Sequence, residues 1–112
     1  MDGTTSRETA RFSKSLKAVL IRMLEIVMSN RFRRDLKLAA RRGYNFELLD
    51  EVVSKLVRQE LLPEKNRDHA LSGDYVGCRE CHIAPDWLLV YQTEDKELIL
   101  YLMRTGTHSD LF

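Results

Sequence analysis

The stretch Glu80-Cys81-His82-Ile83-Ala84-Pro85-Asp86-Trp87-Leu88-Leu89-Val90-Tyr91 joins two extended runs through a proline corner. Residues Tyr75 to Ala84 read as a strand. Pro85 fixes its own φ and disfavours helix at Ala84, and Asp86 is a turn former, so the chain reverses there. Trp87 to Tyr91 is apolar at every position, including those that face opposite sides of a sheet. A strand of that kind is covered on both faces and belongs near the centre. Beyond it, Glu94-Asp95-Lys96 turns the chain, and Leu98 to Met103 forms the last long strand. Gly106 breaks that strand and starts the tail.

Toward the N-terminus the period changes. Phe32, Leu36, Ala39 and Ala40 make one apolar helical stripe, with Arg33, Lys37 and Arg41 as a basic stripe to one side. Ser29 is placed to cap this helix and Gly43 to end it. Asn45 caps a second helix with core residues Leu49, Val52, Val53 and Leu56, and Pro63 prevents its continuation. Met23 to Met28 is β-rich and reads as a first strand, while residues 63–74 read as a loop. The order is β-α-α-β-β-β. The expected fold is α+β, an antiparallel sheet with a helical hairpin on one face and the other face open for a site. This plan covers residues 23–112. Residues 1–22 stand outside it, although Phe12, Leu16, Val19 and Leu20 have helical spacing. They read as an appended arm, a flexible tail or sequence upstream of the true start at Met23.

A length of 112 residues suits one small domain with a single core. The net charge of +1 hides a segregation. Residues 1–22 carry five basic side chains against two acidic ones, residues 23–42 carry six against two, and the rest is net −6. A basic front half suits a polyanion. No apolar run is long enough to cross a membrane, and Ala18 to Met28 is broken by Arg22 and Glu25. With no export signal, the expected compartment is the cytoplasm, with Cys78 and Cys81 as reduced thiols.

Cys78-Arg79-Glu80-Cys81-His82 has the form of a haem attachment motif. In a strand, however, positions three apart face opposite sides, which disfavours haem, a disulfide and two-thiolate zinc alike. His69, His82, His108 and Asp86 match no compact zinc spacing. What remains is an inventory for metal-free phosphodiester cleavage. Three imidazoles, each of a type that titrates near neutrality, can supply a base and an acid at one pH. Arg104 supplies a guanidinium able to hold two phosphate oxygens. Phe112 can stack on a base.

Residues 23–112 resemble the YafQ-type toxins of the RelE/ParE superfamily. The resemblance rests on Phe32 through Gly43, on Arg67-Asp68-His69-x-Leu71-x-Gly73, on Glu80 through Tyr91, and on the ending Arg104-Thr105-Gly106-Thr107-His108-Ser109-Asp110-Leu111-Phe112. It implies a type II toxin that cuts messenger RNA in the ribosomal A site and is silenced by a cognate DinJ-like antitoxin, with no cofactor. His108 is the first choice for proton transfer, and His69 and His82 are candidates for the complementary role. Which is acid and which is base stays open. Asp86 is expected to orient an imidazole and Arg104 to stabilise charge on the phosphate. Phe112 is expected to border the RNA, Trp87 either to border the same site or to anchor the core, and Arg33, Lys37 and Arg41 to contact phosphates. The alternatives are a non-enzymatic gyrase-directed toxin of the ParE type and an inactive antitoxin-binding relative.

Overall fold

Trp87–Glu94 forms β4, the middle strand of a five-stranded sheet, in a computed structural model that describes residues 23–112. The sheet order is β1-β5-β4-β3-β2, with β1 at Glu25–Met28, β2 at His69–Ala70, β3 at Arg79–Ala84 and β5 at Ile99–Gly106. Helices α1 (Asn30–Arg41) and α2 (Phe46–Val57) make the expected hairpin, and α3 (His108–Leu111) is a single terminal turn. Residues 1–22, with the helical spacing noted there, lie outside the described part.

The expected antiparallel pairing holds from β3 through β5, whereas β1 joins the free edge of β5 in parallel. The sheet is therefore mixed. Alternation of apolar residues reveals a strand but carries no information on its direction. Two further differences lie in residues 63–78. The 63–74 loop contains the short strand β2, which pairs with the start of β3. The strand expected from Tyr75 begins instead at Arg79, because a 3-10 turn at Gly73–Tyr75 is followed by a turn that bonds Cys78 N–H to Tyr75 O at 2.9 Å.

Local capping follows the sequence closely. The Ser29 hydroxyl accepts from Phe32 N–H at 3.0 Å and donates to Met103 O at 2.7 Å, so one side chain starts α1 and ties it to β5. Asn45 accepts from Glu47 N–H at 3.0 Å and starts α2.

The hairpin covers one face of the sheet. Phe32, Ala39, Leu49, Val52 and Leu56 pack there against Cys81, Ile83, Leu89, Tyr91, Leu100 and Leu102. The opposite face is only partly open. Cys78, Leu88, Val90 and Leu111 form a second, smaller layer, with Leu71, Tyr75 and Met103 against it. This is why Leu88, Leu89 and Val90 are all buried although they alternate in direction. Each such side chain contributes about 1.5–3 kcal/mol when fully buried.

Candidate active site

Cys81 and Ile83 point into the helix-covered layer, so Glu80 and His82 point to the other face. Strand register then sets out two rows of residues across that face. One row runs His69, Glu80, Val90, Arg104; the next runs His82, Leu88, Gly106. Neighbouring strands are about 4.8 Å apart, so His82 lies on the order of 10 Å from Gly106, two residues before His108. The register of β3 on β4 shifts between His82 and Ala84, beside the turn that carries Asp86. An irregularity of this kind re-aims side chains at a strand end.

Glu80 is the residue that sequence reasoning missed. Its carboxylate is buried, with one oxygen 3.5 Å from His69 Nε2 and 4.0 Å from His82 Nε2. It therefore stands between two of the three imidazoles. The signal was available, since positions 80 and 82 share a strand face. His69 also has its Nδ1 2.7 Å from the Arg67 carbonyl, which suits Nδ1 as a donor. The loop before it is anchored by Asp68, which accepts hydrogen bonds from Tyr91 and from Arg79 Nη2 at 3.0 Å. Burial, together with the bond to Asp68, pushes the Tyr91 hydroxyl up, so it stays a donor. Burial likewise pushes the Cys81 thiol up, which removes it as a nucleophile or thiolate ligand.

The second cluster is built on α3. His108 and Phe112 have ring centroids 5.2 Å apart, and Phe112 meets Tyr75 edge-on at 5.5 Å. Phe112 remains 53% exposed, enough to offer a ring face to a ligand. Asp86 was expected to orient an imidazole ring. Instead its carboxylate accepts from the His108 backbone N–H at 3.4 Å, since the first N–H of a helix has no acceptor within it. Asp86 thus helps to fix where α3 begins. Thr107 and Asp110 form a capping box, and Arg42 grips the Asp110 carboxylate with two bonds of 2.6 and 3.1 Å. The Arg42 guanidinium holds the Asp110 carboxyl well below the usual carboxylate range. Gly106 is required here: a Cβ would come within 2.9 Å of the Asp110 carboxylate.

Arg104 lies in the same cross-sheet row as His69, but the fork formed by its Nε and Nη2 is taken by Asp35 of α1, at 2.8 and 3.3 Å. That edge is not available for the two-oxygen grip on phosphate expected from sequence. Hydrogen bonding to Asp35 raises the Arg104 pKa further, and Tyr75 adds to the effect. Trp87 takes the second of the two places expected for it. It is 3% exposed, donates its indole N–H to Thr105 Oγ1 at 2.8 Å and packs on Tyr44 at 4.8 Å, so it is a core anchor and not a surface for a base. Arg33, Lys37 and Arg41 are exposed on the side of α1 turned away from the core, whereas Asp35 and Arg42 face β5 and α3. The stripe is separate from the histidine rows, on the helix-covered side of the sheet.

A cleft of about 380 Å³ adjoins His82. It opens beyond Glu80, where no strand pairs with that edge of β3 and Asn66 bonds to the His82 carbonyl instead. Lys65, Asn66, Arg67, Ala84 and Pro85 line it with His82. Among the described residues, no three His, Cys, Asp or Glu side chains converge as a metal-holding group.

The family model for the bacterial toxin of type II toxin–antitoxin systems, YafQ, matches residues 24–112. The chain belongs to the YafQ family of toxins. It is similar to the mRNA interferase toxin YafQ of Escherichia coli K12, 38% identical over 89 residues that cover 79% of this chain and 95% of that protein. Among solved structures it is similar to a metal-bound toxin from Helicobacter pylori, 44% identical, with a TM-score of 0.76 and coverage of 80% of this chain and 100% of that one. The E. coli DinJ–YafQ toxin–antitoxin complex matches with a TM-score of 0.73 and 35% identity, over 80% of this chain and 98% of that one. Membership of the family covers the whole described fold, including both histidine clusters.

Proposed function

We propose that this toxin is an endoribonuclease that cuts messenger RNA by metal-free acid–base catalysis in the ribosomal A site, and that a DinJ-like antitoxin silences it. The observation that supports the reading is the arrangement of imidazoles on the face of the sheet away from the helices. His69 and His82 sit on either side of Glu80, and His108 follows Gly106 in the row that contains His82. The bond chemistry is simple. One imidazole takes the proton of a ribose 2′-hydroxyl, and the oxygen attacks the adjacent phosphorus. The phosphorus–5′-oxygen bond breaks, and a protonated imidazole supplies the leaving oxygen with its proton. A 2′,3′-cyclic phosphate and a 5′-hydroxyl result, with no redox change and no added reactant.

His108 is exposed at the start of α3 and is assigned proton transfer; His69 or His82 takes the complementary role. Arg104, held by Asp35, contributes positive charge beneath the phosphate through its position in the row and not through a bidentate grip. Phe112 stacks on a base beside the scissile bond. The test is a ribosome-programmed cleavage assay with mapped 5′ ends, run with and without EDTA. Cuts with 5′-hydroxyl ends that persist in chelator are expected. Intact message on arrested ribosomes would end the nuclease reading in favour of a binding toxin, and loss of cleavage in EDTA would end the metal-free one.

A further inference from the structure

We propose that the cleft beside His82 is a subsite for one nucleotide of the message next to the scissile phosphate, with Lys65 and Arg67 binding its phosphate and Pro85 and Ala84 its base. The identity of the ligand as RNA rests on the nuclease reading above; the cleft itself does not.

Several observations converge on this assignment. The volume of about 380 Å³ lies at the small end of the range for ligand pockets, roughly 300–1,000 Å³, and suits a single nucleotide. Two exposed cationic side chains line the cleft, and no acidic one does. That composition selects a polyanion and is unlike the mixed charge of the chain as a whole. The rest of the lining includes the apolar residues Ile83, Ala84 and Pro85, a surface on which a base can lie.

The floor is fixed. Asn66 is buried and donates its side-chain N–H to the His82 carbonyl at 2.7 Å, so the 3-10 turn Glu64–Asn66 is fastened to β3 at the histidine itself. Arg67 follows in the left-handed region at φ 46°, closed by its N–H to the Glu64 carbonyl at 2.9 Å. Strand β2 is two residues long and pairs only with Arg79 and Glu80, so it does not extend along β3 to the cleft. An anion held at Lys65 and Arg67 therefore shares one cleft with His82.

The experiment uses the full chain and a short oligoribonucleotide with 2′-O-methyl groups throughout, which lacks the attacking hydroxyl and cannot be cut. Its titration should move the backbone amide signals of residues 65–67 and 83–84. The double variant Lys65→Gln/Arg67→Gln should weaken binding about tenfold and lower the salt slope by roughly one to two, as expected for lost phosphate contacts. In cleavage assays it should raise KM and leave kcat near wild type, and the charge-keeping Lys65→Arg/Arg67→Lys variant should restore most of the affinity. Binding signals confined to Arg33, Lys37 and Arg41, or unchanged affinity in a folded Gln variant, would overturn the subsite. Binding in the cleft without any cleavage would sink the nuclease reading alone, whereas cleavage with wild-type KM in the double variant would sink the subsite alone.

Discussion

His108 has its backbone N–H tied to Asp86 and its side chain exposed, a combination that lets a ring be removed without unfolding its support. His108→Ala is expected to lower cleavage roughly 10²- to 10⁴-fold, the range for one acid–base group, while the thermal midpoint stays near wild type. Glu80 tests a different idea. It lies within 4.0 Å of two imidazoles and is buried, a position suited to holding them. Glu80→Gln should lower kcat by up to about 10²-fold through misplacement of the rings, with KM little changed. A matching rise in KM would mean that the carboxylate shapes binding instead. At this scale the sequence made the three histidines and Asp86 visible as a set. It left the partner of each unresolved: Asp86 meets a main-chain N–H, and Arg104 meets Asp35, sixty-nine positions away. Partners that distant leave no local pattern.

The element that decides the site is α3, four residues long and unable to persist alone. Its order comes from the capping box, from Leu111 in the second layer and from the Arg42–Asp110 pair. The Asp110 carboxyl is depressed in the folded state, so the stability it adds is complete above its ordinary value of 3.8 and is lost as the pH falls through the lower folded value. Asp110→Asn should therefore melt earlier than wild type at neutral pH, and the gap should close in acid. A constant gap at every pH would remove the ion pair as its cause. Trp87 makes the complementary case. Trp87→Ala is expected to cost about 3–5 kcal/mol in denaturant unfolding, since it opens a cavity and leaves Thr105 without its donor. The strands around the proline corner, both helices and both caps were legible because each rests on a local rule. β2 and the 3-10 turns were not, because two or three polar residues show no period.

For the whole molecule, the unexpected result is that two separate surfaces carry positive charge. The α1 stripe of Arg33, Lys37 and Arg41 lies on the helix-covered side, away from the histidine rows. Replacing all three by Ala should weaken association with ribosomes and lower its salt slope by roughly two to three, with no shift in cleavage position. Retained affinity at every salt concentration would assign the stripe to plain solvation. The side of the sheet used by each residue followed from alternation, but the small second layer did not, since its apolar members come from loop residues, a 3-10 turn, two strands and the terminal helix. That layer also separates the two thiols. Cys81 is fully enclosed in the main core, and Cys78 is enclosed in the minor one, so each sulfur is shielded by a different packed unit. A thiol reagent in native buffer would thus keep two clocks: labelling at Cys78 times local opening beneath the C-terminal turn, and labelling at Cys81 times disruption of the main core.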